Sequence, residues 1–248
     1  MKRFLILTKA LLLIHLRNRY TLFWNFAFPI FMMFLFNSVL GFGGDDGRGT
    51  IWMVPGLVVL NLLSFGLIGS STIMVEMRQQ GILRRIQATP LSALLLIGAY
   101  LLVNVLIGVL QSAAIVVFGI LMYGTPVTLQ GMLMALPLVF LGILVFLAFG
   151  QVVSGATTSA GAAVVTAQVV YFPLMFISDL IMPIRFLPDL VQTVAPYLPS
   201  FAVADLVRSA FNDGAWGSAF GWNMLIVAGY GLLAVFVASR LFRWAPKA

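Results

Sequence analysis

The sequence predicts an all-α integral membrane protein with six transmembrane helices, and three observations carry that prediction. Of the 248 residues, 62% are apolar and only 8% are charged, where a soluble domain carries about 25% charged residues. The mean hydropathy of +1.09 agrees. Six apolar stretches approach or exceed the roughly 20 residues that a helix needs to cross hydrocarbon. Lysine and arginine are concentrated on alternate sides of those stretches.

In chain order, the stretches run over 21–40, 51–75, 93–123, 132–153, 161–178 and 222–241. The third is too long for one upright span, so its first turns are expected to lie along the interface. The fifth is the shortest and is expected to give way to irregular structure near Pro173. Polar or Gly/Pro-rich breaks at 41–50, 76–92, 124–131 and 154–160 separate them. The whole chain, 1–248, reads as a single transmembrane domain.

Orientation follows from the basic residues. With the N-terminus inside, the inner segments hold Lys2, Arg3, Lys9, Arg17, Arg19, Arg78, Arg84, Arg85, Arg240, Arg243 and Lys247, leaving only Arg48, Arg185 and Arg208 outside. Of the acidic residues, only Glu76 falls inside. Both termini are therefore expected in the cytoplasm, and the net charge of +7 reflects topology rather than a nucleic-acid partner. Residues 1–20 resemble a signal peptide at first sight. However, Lys9 interrupts the apolar run and no small-x-small site follows before Arg17. A basic helix lying on the inner leaflet fits them better.

Several function classes are excluded. The chain has no cysteine and a single histidine, His15, so it offers neither a thiol nucleophile nor a histidine metal cluster. None of its three lysines follows a glycine, which removes the usual phosphate-cradling loop. No ionisable residue falls near the middle of any span, where ion-coupled carriers place theirs. Any energy for transport must enter elsewhere, and 76–92 is the candidate. Glu76, Arg78, Arg84 and Arg85 put four charges into ten residues there. Ile82, Leu83 and Ile86 share one side of a short amphipathic helix that Thr89-Pro90 would end. A plain lipid-headgroup anchor has the same composition.

Two further regions stand out. Pro173, Pro183, Pro188, Pro196 and Pro199 crowd a segment that is otherwise apolar. A smooth helix cannot pass so many missing donors, so 179–205 is expected to form a re-entrant pair of short helices on the outer side. Polar residues also form stripes within the spans. Asn61, Ser64 and Ser71 share a face of span two; Asn104, Gly108 and Gln111 share one of span three; Gln168, Tyr171, Phe172 and Met175 crowd span five. Such stripes serve as helix-packing sites or as a polar path.

The order Glu-x-x-x-x-Gly-x-Leu-x-Arg-x-x-x-Thr-Pro-Leu after a second span resembles the permease subunits of ABC-2 type exporters. The run 176–188, Phe-Ile-Ser-Asp-Leu-Ile-Met-Pro-Ile-Arg-Phe-Leu-Pro, is similar to the family's later stretch, as are 195–199 and 205–208. One departure is Asp179, where the family usually has glycine. A turn with positive φ there would have to be held by a non-glycine residue.

The resemblance implies a permease that pairs with a second copy, or a close homologue, and with a separate ATP-binding subunit that supplies ATP and magnesium. No cofactor is expected in this chain. By that resemblance Glu76, Arg78, Gly81, Leu83, Arg84, Arg85, Thr89 and Pro90 would couple to the ATPase, and 1–20 would brace it. Spans two and five, with span one nearby, would frame a path contacted by Asn61, Ser64, Phe65, Phe172, Met175 and Phe176. Asp179, Pro183 and Pro188 would belong to an outer gate. An aromatic, methionine-bearing path suits a hydrophobic or amphipathic cargo, such as a drug, lipid or glycolipid. The Arg-x-x-x-Thr-Pro-Leu form resembles the drug-efflux branch. An ATP-independent facilitator or channel, or a membrane scaffold, is the alternative.

Overall fold

A computed structural model of the chain describes residues 2–17, 19–40, 48–87, 93–214 and 216–241. All regular structure among them is helical: α1 (Lys2–Arg17), α2 (Arg19–Leu40), α3 (Arg48–Ser64), α4 (Ser70–Gln79), α5 (Ile82–Gln87), α6 (Ala93–Tyr123), α7 (Leu129–Ala156), α8 (Ala160–Ile177), α9 (Asp189–Val194), α10 (Pro199–Phe211) and α11 (Phe220–Leu241). Five stretches are long and apolar enough to cross a membrane: Gly49–Gln79, Gly98–Tyr123, α7, α8 and α11. The bent pair α9–α10 would make a sixth if counted as one span. The stretch expected as the first span is helical throughout as α2, with a shorter apolar part over Phe26–Val39.

The centre of the fold is the continuous helix Gly49–Gln79, whose apolar stretch is 78% buried inside the chain, against 17% for α8 and for α11. It is not α-helical throughout. A π-helical turn at Phe65–Gly69 joins α3 to α4. Three hydroxyls bond back onto this turn: Ser70 Oγ donates to the Gly66 carbonyl (2.5 Å), and Ser71 and Thr72 donate to that of Ile68 (3.1 and 2.8 Å). Such π-turns recur at functional positions in helices. Span four crosses closely here. A Cβ on Gly66 would meet Phe146 at 2.6 Å, and one on Gly150 would run into the Gly66 carbonyl and the Ser70 hydroxyl.

Helix ends follow their local chemistry. Thr128 and Ser159 cap α7 and α8 by accepting from the amides of Gly131 (3.0 Å) and Ala162 (3.2 Å). Pro173, expected to break span five, lies inside α8, which runs on to Ile177. α6 is one unbroken helix, and its first turns pack against α1 through Ala99 and Tyr100. The expected amphipathic helix after span two is α5, although Glu76–Gln79 belong to α4.

Contacts between helix ends define two ends of the bundle. At one, which we call the acidic end, Trp52 contacts Asp179, Thr128 donates to Asp213, and Gly131 lies beside Ala210. At the other, the basic end, Arg78 contacts Ser154 and Thr157, Gly155 lies against Leu241, and α1 packs on α6. The segment from Ser178 to Asp213 leaves and returns at the acidic end. Between those points it dips inward, bringing Val203 of α10 against Gly142 in the middle of α7. Its helices meet at 79°.

Candidate functional site

Three sites hang on the central helix, at its acidic end, its middle and its basic end. At the acidic end Asp179 sits at φ 59°, the left-handed region that glycine enters freely and aspartate tolerates better than most residues. The turn is thus kept without glycine, and the side chain that replaces it is put to use. Its carboxylate accepts from Arg208 Nη1 (2.5 Å), from the Trp52 indole (3.0 Å) and from the Ile184 amide (2.6 Å). Arg208 also donates to the Asp179 and Trp52 carbonyls and stacks on the Trp52 ring, 4.9 Å from its centroid. Both charged side chains are nearly buried, 13% and 10% exposed. Gly56 makes this possible: a Cβ there would meet the Leu180 carbonyl at 2.8 Å. Beside the pair, the hydroxyls of Ser178 and Ser200 lie 2.6 Å apart.

Of the prolines expected at the outer gate, Pro183 starts the 3₁₀ turn Ile184–Phe186 and Pro188 precedes the first residue of α9. Arg208 and Trp52 were not among the expected gate residues. Their signal in the sequence is faint, an isolated arginine and an isolated tryptophan in apolar surroundings.

In the middle, a cavity of about 240 Å³ is lined by Phe28 and Pro29 of α2, Leu57, Leu60, Asn61 and Ser64 of α3, and Tyr171 of α8. Asn61 is fixed by a hydrogen bond from its amide nitrogen to Gln111 Oε1 (3.1 Å), so the stripes of spans two and three meet. The expected path residues divide. Asn61 and Ser64 line the cavity. Phe65 is buried on the other side of the helix, among Leu11, Tyr100, Val103 and Ile107. The buried stripe of α8 is Ala163, Ala167, Tyr171 and Leu174, which leaves Met175 partly buried and Phe172 and Phe176 exposed. Tyr171 was visible as part of the span-five stripe, but the sequence did not distinguish it from Phe172 beside it.

At the basic end, α4 stops at Gln79 with Gln80 as its C-cap, and Gly81 turns the chain with φ +70°. α5 then buries Leu83 within the chain itself. Glu76, Gln79, Gln80 and Arg85 are exposed. Arg84 lies in α5 with its side chain outside the described residues, as are Thr89 and Pro90 altogether. Arg78 departs from expectation. It is 3% exposed, and its Nη2 donates to the carbonyls of Ser154 (3.0 Å) and Thr157 (2.5 Å). A guanidinium facing the last carbonyls of a helix satisfies acceptors that have no partner within the helix. Arg78 therefore does not stand with the exposed charges around it.

This arrangement matches a known family over most of its length. The profile described as ABC-2 type transporter matches residues 2–212. The chain belongs to that family. The ABC-2 match takes in α1 to α10 and all three sites, and stops before α11. Among curated proteins, the chain is 27% identical over 238 residues to "Putative transport permease YvfS" of Bacillus subtilis (strain 168), an alignment covering 92% of each chain. An ABC-2 protein is the membrane component of an ABC transporter. The apolar helices found here are in keeping with a multi-pass membrane protein.

Proposed function

We propose that the chain is the permease subunit of an ATP-driven exporter, in which two permeases work with two copies of a separate ATP-binding subunit. The cargo is hydrophobic or amphipathic. One observation carries this reading. The 31-residue helix Gly49–Gln79 leads without a break from the cavity at Asn61 and Ser64 to an exposed, charged turn at its basic end. A stiff helix delivers a displacement at Gln80 to the cavity wall, and the chain's family supplies the ATP-binding partner that would cause the displacement.

The remaining assignments follow from it. The basic end faces the cytoplasm, in line with the positive-inside rule. Glu76, Gly81 and Arg85 meet the ATP-binding subunit together with Arg84, Thr89 and Pro90. α1 lies in the inner interface, with Phe4, Leu7 and Leu11 on the bundle and Leu5, Ile6, Leu13 and Leu16 towards lipid. α2 is the first of six spans, and α9–α10 is re-entrant, because both its ends belong to the acidic end. Asp179, Pro183 and Pro188 are part of the outer gate. Asn61 and Ser64, with Tyr171, form the polar part of a cargo site whose other walls are apolar. Phe172, Met175 and Phe176 extend it towards the second permease.

The test is ATP-dependent uptake of lipophilic fluorescent dyes into inverted membrane vesicles holding the permease and its ATP-binding subunit. Uptake should require both chains and should vanish when the partner's hydrolytic carboxylate is removed. Dye movement by the permease alone, down its gradient, would establish a facilitator instead.

A further inference from the structure

We infer that Arg78 is a positioning residue that ties the coupling turn to the turn between α7 and α8, so that α4, α5 and the start of α8 move as one body. This rests on the exporter reading above and adds the route by which the ATP-binding subunit's push reaches span five.

The route along the central helix accounts for only one wall of the cavity. Tyr171, beside Ser64, belongs to α8, which packs on α4 but is separate in sequence from the coupling turn. Arg78 closes that gap. It sits two residues before Gln80, inside the protein rather than on its surface, and bonds to Ser154 in the last turn of α7 and to Thr157, its C-cap. Only Thr158 and Ser159 stand between that bond and the first residue of α8. With these contacts an arginine at 3% exposure cannot also dock on a partner's surface or sit among lipid headgroups. The neighbouring contacts add stiffness, since α4 and α7 approach closely where Gly150 meets Gly66 and Ser70. Breaking the tie takes that donor from two carbonyls at the end of α7 and removes this polar link between the coupling turn and the start of α8.

The chain has no cysteine, so spin-label pairs can be placed without background, in complexes that carry one labelled permease copy. One pair, at exposed Val169 on α8 and Leu232 on α11, reports movement of span five. A second pair, at exposed Gln80 and Thr158, spans the tie. On trapping with magnesium, ATP and vanadate, the 169–232 distance should shift and the 80–158 distance should hold. In Arg78→Met, the 169–232 shift should be lost while the ATP-binding subunit still co-purifies in the normal ratio. A structural defect elsewhere would lower stability without abolishing the ATP-dependent shift in assembled complexes. The inference is overturned if the wild-type 80–158 distance changes as much as 169–232. It is equally overturned if Arg78→Met shifts like the wild type, or if that variant loses its partner and so shows Arg78 to be a docking residue. Should Arg78→Met not fold, the wild-type 80–158 pair decides alone. A wild-type complex with no shift at 169–232 counts against the exporter reading itself and removes the basis of this inference with it.

Discussion

The central helix is held by an arginine at each end, and the two arginines are held differently. At the acidic end Arg208 meets a carboxylate, an indole ring and two backbone carbonyls. At the basic end Arg78 donates to the carbonyls of Ser154 and Thr157 at the terminus of α7. The first arrangement cancels its charge locally and fixes a strained turn, as a clamp on a segment that caps the bundle should. The second grips the last carbonyls of α7, at the negative end of that helix's dipole. It can travel with that helix as a unit. The contrast separates a part built to stay shut from a part built to transmit.

The largest effect is expected from opening the clamp. Removing one partner of a buried ion pair costs about 3–5 kcal/mol, because the other charge is left uncompensated. Asp179→Asn and Asp179→Gly should both destabilise the protein on that scale in thermal unfolding of the purified chain. Asp179→Ala should lose about 1 kcal/mol more, since alanine bears the left-handed conformation at φ 59° poorly. If Asp179→Ala and Asp179→Gly unfold together, backbone conformation plays no part in the clamp.

A smaller effect is expected midway along the helix, where neither arginine reaches. Gly150→Ala pushes a methyl group into the Gly66 carbonyl and the Ser70 hydroxyl at the π-turn, and overpacking of this kind costs about 1–3 kcal/mol. Gly161→Ala on α8, with open space around it, is the control and should be neutral or slightly stabilising. Equal melting temperatures for the two variants would mean that the close crossing of spans two and four has no energetic weight.

The smallest effect on stability is expected at the exposed charges beside Arg78. Glu76→Gln and Arg85→Gln should each change stability by under about 0.5 kcal/mol, while weakening co-purification of the ATP-binding subunit. Normal assembly and ATP-driven uptake in the double variant would leave that turn as a simple membrane anchor.

How much of this could be read from the chain varies by region. The limits of α6, 93–123, came directly from hydropathy, and the starts and ends of the other apolar helices were displaced by only a few residues. Aspartate in place of the family's glycine at 179 spoke against a positive-φ turn, yet the turn is kept, at φ 59°. Pro173 misled, because a proline removes one local donor, whereas the remaining backbone groups of an apolar segment must still close within the helix. The π-turn gave no sign in composition, since Phe65–Gly69 reads as ordinary apolar helix.

What the sequence determined by itself was the class of structure and the positions of its helices. Backbone hydrogen bonds in an apolar medium must close within the segment, so hydropathy alone dictates a helix. Which face of each helix turned inward was decided only by tertiary structure. Apart from short polar stripes these spans are apolar on every side, and a nearly uniform apolar helix carries little directional signal. Phe172 and Tyr171 are neighbours of similar character, yet one is exposed and the other lines the cavity. Arg78 and Arg85 look alike in a charged loop, and only the approach of Ser154 and Thr157, more than seventy residues away, buries one and leaves the other exposed.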